Sequence, residues 1–86
     1  MNPHEITRIL LEYLIAARPA LVDIKNLEHV SLNDVLDSLD MLGFVGFVEE
    51  RFDLKIESGD FTPEQFSTVI LVSQFVSHKL AILASS

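Results

Sequence analysis

Cysteine is absent from the 86 residues. That excludes a disulfide framework, a thiolate zinc site and a Cys nucleophile, and it fits a reducing compartment. Basic residues are scarce: 6 Lys and Arg stand against 13 Asp and Glu, a formal net charge of -7. A surface of that sign repels phosphate backbones and anionic lipid headgroups, so neither a nucleic acid nor a membrane is expected as a partner. Long hydrophobic runs are missing too. The longest apolar or Gly stretch, from Met41 to Val48, is far short of the roughly 20 residues that cross a bilayer. No basic run precedes an apolar stretch after Met1, so no secretory signal is read there and the expected compartment is the cytoplasm.

Several chemistries fail on spacing. His4, His29 and His78 stand singly, and Asp34, Asp37 and Asp40 recur at intervals of three where a calcium loop needs intervals of two and a central Gly, so no metal site is expected. Gly43 and Gly46 lack the third Gly and the preceding strand of a dinucleotide loop. No Ser lies in a nucleophile elbow, and Ser38 has no His near it in the chain. The chain is not expected to be an enzyme.

What is present suffices for a fold. Hydrophobic residues make up 49% and charged ones 22%, which allows a buried core, and the length allows one domain, residues 1–86. Ile6, Leu10, Tyr13, Leu14 and Ala17 follow one helical face, with Pro3 acceptable in the first turn and Pro19 marking the end. From Pro19 to Asp37 the apolar residues come irregularly, which predicts a long loop laid across the core, with room for one short helical turn. A second helix is predicted over Ser38 to Arg51, with Met41, Phe44, Val45, Val48 and Phe52 on its core face and Leu39, Gly43, Gly46 and Glu50 outward. Asp37 is its N-cap, and Asp40 sits in the first turn where the helix dipole favours an anion. Ile56 to Gly59 reads as a turn, and Thr62, Pro63, Glu64 and Gln65 as a cap and one short helical turn. Ser67 or Thr68 then caps a last helix carrying Val69, Val72, Phe75, Val76 and Leu80, fraying from Ala81 to Ser86. The predicted fold class is all-α: a small four-helix bundle with a long loop between helices one and two and a short third helix.

The triplet Asp37-Ser38-Leu39 at the junction of a long loop and an amphipathic helix resembles the acyl carrier and peptidyl carrier protein superfamily. The resemblance runs from about Ile6 to Leu80 and includes the acidic stretch ending in Phe52, then Asp53 and Ile56, the short third helix, and Phe66-Ser67-Thr68-Val69 opening the fourth. It implies that Ser38 carries a covalent 4'-phosphopantetheine arm derived from coenzyme A, on which acyl or aminoacyl groups are held as thioesters and delivered to partner enzymes. Asp37 would cap the helix and help orient the modifying enzyme's metal and substrate. A phosphodiester suits that place, because free N–H groups at a helix N-terminus favour negative charge. Fatty-acid carriers usually have Leu-Gly two to three residues before the Asp; here Asp34 and Val35 occupy those places. That departure speaks against a fatty-acid carrier, while the form Leu36-Asp37-Ser38-Leu39 and the lengthened third-helix region Phe61-Thr62-Pro63-Glu64-Gln65-Phe66 look more like a discrete carrier of a specialised biosynthetic pathway, served by an acyl- or aminoacyl-adenylate-forming ligase.

The implied partners are a phosphopantetheinyl transferase, such a ligase, and acyltransferase or synthase enzymes, met by a monomer. Leu39, Asp40, Leu42, Gly43, Gly46, Glu49 and Glu50 are the candidate partner-binding residues. Gly43 and Gly46 leave a side-chain-free notch that either lets the Pro19 to Asp37 loop pack closely or takes a partner's bulky side chain. The alternative is an acidic helical interaction module with no prosthetic group, in which Asp37 and Ser38 only cap a helix.

Overall fold

The computed structural model describes residues 1–57, 59–60 and 62–85, and the described residues are helical with no strand. Four α-helices follow one another: α1 (Pro3–Ala17), α2 (Leu32–Val35), α3 (Ser38–Phe52) and α4 (Val69–Ser85). Two 3₁₀ turns, Pro19–Asp23 and Leu27–His29, lie between α1 and α2.

α1 begins where Asn2 Oδ1 accepts the Glu5 N–H at 2.9 Å, with Pro3 at a position whose missing N–H costs nothing. It ends at Arg18 because a residue before proline is driven out of the helical region. Ile6, Leu10 and Leu14 are buried and Tyr13 is half-buried. Ala17, expected on the same face, is exposed, since the chain turns away at Pro19 one turn past the core.

The irregular apolar spacing after Pro19 is the trace of three short helical elements that send leucines inward: Leu21, Leu27, Leu32 and Leu36 are all buried. Asn26 takes the left-handed conformation, φ 55°, which Asn tolerates better than most residues. The Leu32 N–H donates to the Ser67 carbonyl at 2.8 Å, fastening this stretch to the start of α4.

Phe44, Val48 and Phe52 form the buried face of α3, at i, i+4 and i+8. Its C-terminus is closed by Asp53, also left-handed, and by the Leu54 N–H on the Glu49 carbonyl at 3.0 Å. Met41 and Val45, expected in the core, are only half-buried. They line a groove described below.

α4 packs most extensively on α1. Its first turn is capped by Thr68, whose Oγ1 accepts the Leu71 N–H at 3.2 Å. Its β-branched residues Val69, Val72 and Val76 are buried, where packing outweighs their modest helix propensity. The helix does not fray at Ala81; it continues to Ser85, with Ala81 onward exposed, and Ser86 lies outside the described residues. A polar pair, Ser73 buried and Thr7 half-buried, fixes α4 on α1. Thr7 Oγ1 is 2.8 Å from the Pro3 carbonyl and 2.7 Å from Ser73 Oγ. The carbonyl can only accept and Thr7 has one proton, so Ser73 donates to Thr7.

The predicted short third helix is a single α-turn, closed by the Phe66 N–H on the Thr62 carbonyl at 3.1 Å and capped by Thr62 Oγ1 on the Gln65 N–H. Pro63, Glu64 and Gln65 are exposed and Phe66 is buried, so the described residues of this turn offer no apolar face to sustain a second one. The short helix of the bundle is instead α2, inside the long loop. Ser58 of the predicted 56–59 turn and Phe61 lie outside the described residues. No helix among the described residues is long and apolar enough to cross a membrane.

Candidate functional site

Ser38 is the first residue of α3 and is exposed. The geometry that fixes it is local and reciprocal. Asp37 Oδ1 accepts the Asp40 N–H at 2.8 Å, Asp40 Oδ2 accepts the Asp37 N–H at 3.4 Å, and the Met41 N–H bonds the Asp37 carbonyl at 2.9 Å. This capping box uses the N–H groups of Asp37, Asp40 and Met41, leaving those of Ser38 and Leu39 at the positive end of the helix dipole.

A cation from α1 is built onto the box. Arg18 donates from Nε to Asp40 Oδ2 at 2.7 Å and pairs with the same oxygen through Nη2, while Nη2 lies 3.6 Å from Asp37 Oδ2. The Arg18 hydrogen bond holds the Asp40 carboxyl below the usual carboxylate range, with the Asp37 N–H adding to it, and the guanidinium pKa rises in return.

On the other flank of α3 lies a groove of about 1030 Å³. One wall is α3 itself: Ser38, Met41, Leu42 and Val45, at i, i+3, i+4 and i+7. The opposite wall is the segment after α3, contributing Ile56, Glu57, Thr62, Pro63 and Phe66, while Asn33, Leu36 and Asp37 close the end near Ser38. Leu36 and Phe66 are its buried members, and the Phe66 ring is stopped by Phe75 at 5.4 Å between centroids.

Because that second wall has no long helix, individual bonds hold it. Glu49 Oε2 accepts the Ile56 N–H at 2.8 Å, and Asp60 pairs with Lys79 of α4 at 3.0 Å, with the Lys79 ammonium 5.9 Å from the Phe75 ring centroid. The Lys79 bond, then the Glu57 N–H, keep the Asp60 carboxyl below its ordinary range.

The candidate residues therefore divide. Asp37, Ser38, Leu39 and Leu42 gather at the start of α3, where Leu39 is 78% and Leu42 69% exposed. Glu50 is exposed as expected. Asp40 and Glu49 are anions in the service of the fold, one tied to Arg18 and one to a backbone N–H. The glycine notch is filled at one end: a Cβ on Gly43 would lie 3.2 Å from Tyr13 Oη, whereas one on Gly46 would meet nothing within 4 Å. The close neighbour is Tyr13 of α1 and not the Pro19 to Asp37 loop. Sequence reasoning missed Arg18, because nothing local marks an Arg before a Pro as the partner of a carboxylate 22 residues on. It also missed the groove, whose only trace in the sequence was the apolar pair Met41 and Val45 at the edge of the core face.

No family model, no curated protein and no solved structure matches this chain. The functional reading rests on the residues and their geometry.

Proposed function

We propose that this chain is a carrier protein: Ser38 is the attachment point of a 4'-phosphopantetheine arm, and the acyl cargo is handed to partner enzymes that do the chemistry. The observation that carries the reading is the exposed Ser38 hydroxyl at a capped helix start, on the lip of a largely apolar groove. When attached, the group supplies a thiol at the end of a flexible arm, able to hold acyl groups as thioesters.

The residues fit such a group. Attachment would form a bond from Ser38 Oγ to the pantetheine-bearing phosphorus of coenzyme A, break the pyrophosphate link to release adenosine 3',5'-bisphosphate, and pass the hydroxyl proton to the transferase; it requires a reachable Oγ, and an exposed first-turn position meets that need. The N–H groups of Ser38 and Leu39 and the helix dipole favour a phosphodiester's charge there. Met41, Leu42, Val45, Ile56, Pro63 and Phe66 offer apolar surface within reach of Ser38, which favours an apolar acyl cargo over an aminoacyl one bearing an ammonium group. Leu39, exposed beside the attachment point, is the apolar contact a partner would meet first, with Glu50 as a flanking charge. The proposed partners are a phosphopantetheinyl transferase, an adenylate-forming ligase and an acyltransferase or synthase. The proposal includes a cytoplasmic monomer that is not itself a catalyst.

A second reading draws on the same exposed Leu39 and Leu42: an acidic helical module that binds a protein partner through the outer face of α3 and never carries an arm. One experiment separates them. The purified chain is incubated with coenzyme A and a broad-specificity phosphopantetheinyl transferase, and its intact mass is measured. A gain of one phosphopantetheine, lost in Ser38→Ala, supports the carrier reading. Ser38→Ala should fold as the wild type does, because Asp37 supplies the cap and Ser38 is exposed. No gain, or a gain that persists in Ser38→Ala, overturns the assignment.

A further inference from the structure

Ser38 stands between two carboxylates, two residues before Asp40 and directly after Asp37. Among the described residues, the cation paired with either is Arg18, and it comes from the end of a different helix. Arg8 is paired with Glu12 and Lys79 with Asp60. Asp37 adjoins Ser38 in the chain, so a phosphodiester on Ser38 would add a negative charge to the first turn of α3 within the ~8 Å over which physiological salt screens charge poorly, and without a counter-ion the modified junction would repel itself.

We propose that Arg18 is the counter-ion of the modified junction, a positioning residue that makes a charge on Ser38 tighten the tie between α1 and α3 where it would otherwise loosen it. The inference rests on the carrier reading. Its basis is geometric. Arg18 engages the box through Nε and Nη2, which leaves Nη1, with two of the five guanidinium hydrogens, unbonded to Asp37 or Asp40. The guanidinium borders a shallow depression formed by Ala17, Pro19, Ala20, Val35 and Asp40, so it stays open to solvent and free to share a second anion. Planar guanidinium groups suit simultaneous recognition of a carboxylate and a phosphate. The consequence is a link between modification and the long loop: Arg18 is where that loop begins and Asp37 is where it ends.

The test compares apo and modified protein in the wild type, Arg18→Gln and Arg18→Lys, each loaded with coenzyme A and the transferase and checked by intact mass. In the wild type, modification should leave the melting temperature unchanged or raised. In Arg18→Gln it should lower it by about 3 °C or more, and the loss should shrink as salt is added. Arg18→Lys, which keeps the charge without the fork, should recover part of the difference. The phosphorus-31 resonance of the arm should move between wild type and Arg18→Gln, with Arg18→Lys between them, a signature that a purely structural role for Arg18 would not produce. Should Arg18→Gln fail to fold, the Arg18→Lys comparison and the salt dependence of the wild-type difference decide the matter. Equal effects of modification in all variants, with an unmoved resonance, overturn the counter-ion role while leaving the carrier reading intact. A chain that takes no arm at all overturns both.

Discussion

Adding a methyl group at Gly43 and at Gly46 tests how α1 sits on α3, because the two positions share a helix and differ in what faces them. Inside a helix, Gly costs about 1 kcal/mol relative to Ala, mainly through backbone freedom in the unfolded chain. At Gly46 the added Cβ meets nothing within 4 Å. Gly46→Ala should therefore realise the full gain, a rise in melting temperature of about 4–8 °C for a domain this size. At Gly43 the Cβ would lie 3.2 Å from Tyr13 Oη, closer than an ordinary van der Waals contact. Tyr13 cannot simply swing away. Its ring stacks on Phe47 with centroids 4.2 Å apart and 17° between planes, and it leans on Phe44 at 6.2 Å. Displacing it incurs an overpacking penalty on the order of 1 kcal/mol, which offsets the helix gain. Gly43→Ala should come out near neutral.

Tyr13→Phe removes Oη and with it the conflict, so in that background Gly43→Ala should regain about 1 kcal/mol, a coupling of the same size. The assay is denaturant unfolding of Gly46→Ala and of the four proteins of the Tyr13–Gly43 cycle, followed by far-ultraviolet circular dichroism, with the slope against denaturant unchanged. If Gly43→Ala stabilises the wild type as much as Gly46→Ala does, or if the cycle shows no coupling, Tyr13 is not seated on Gly43 and this account of the α1 contact is wrong.

Three further outcomes are expected. Thr7→Val should cost about 1–3 kcal/mol by stranding the buried Ser73 hydroxyl, while Thr7→Val with Ser73→Ala should cost markedly less; equal costs would remove the pair as a determinant of how α1 meets α4. Asp40 and Asp60 are held below their ordinary 3.8, so their contribution is present above that value and lost as pH falls through the lower folded value. Acid unfolding should therefore steepen below about pH 4 and be flatter in Asp60→Asn, and identical curves for the two proteins would refute the tie to Lys79. Association with a cognate enzyme should slow with added salt and slow again in Glu50→Lys, since exposed charges act on encounter rate; stopped-flow rates indifferent to both would eliminate electrostatic docking. Glu49 is the wrong residue for that experiment, because its carboxylate holds the Ile56 N–H.

What could be read in the sequence shares one property: its partners lie within a turn or so along the chain. Asp37 capping α3, Ser67 or Thr68 capping α4, Pro19 ending α1 and the i, i+4 spacing of Phe44, Val48 and Phe52 are short-range facts; all four hold in the structure, which makes Thr68 the cap. Asp40 was placed in the first turn for its charge alone, and the capping box adds a reciprocal bond across the same three residues. The long loop could be placed but not shaped, because short turns at uneven intervals carry its leucines into the core and no period survives. The third helical segment is legible as a cap and one short turn, and one capped turn is what the structure has, because an N-cap signal starts a turn without supplying the apolar face that continues one.

The parts that stayed hidden are those closed by contacts across the bundle, and these are the parts that turn a capped serine into a site. Helical periodicity places Met41 and Val45 with Phe44 and Val48, but how deeply a flank residue is covered depends on the segment opposite. Here the described part of that segment is held by Glu49 at Ile56 and by Lys79 at Asp60 and ends in a single turn, which leaves the flank half-covered. The brevity of that turn thus opens the groove beside Ser38. A longer helix across residues 62–66 with a full apolar face would bury Met41 and Val45 and close the groove. Substituting Met41 with a polar residue of similar length, Met41→Gln, follows from that argument: a half-buried groove wall should tolerate it at about 1 kcal/mol, whereas a fully packed core position would lose several times that. Denaturant unfolding measures the difference, and a loss on the scale of a core substitution would show that the groove is closed in solution.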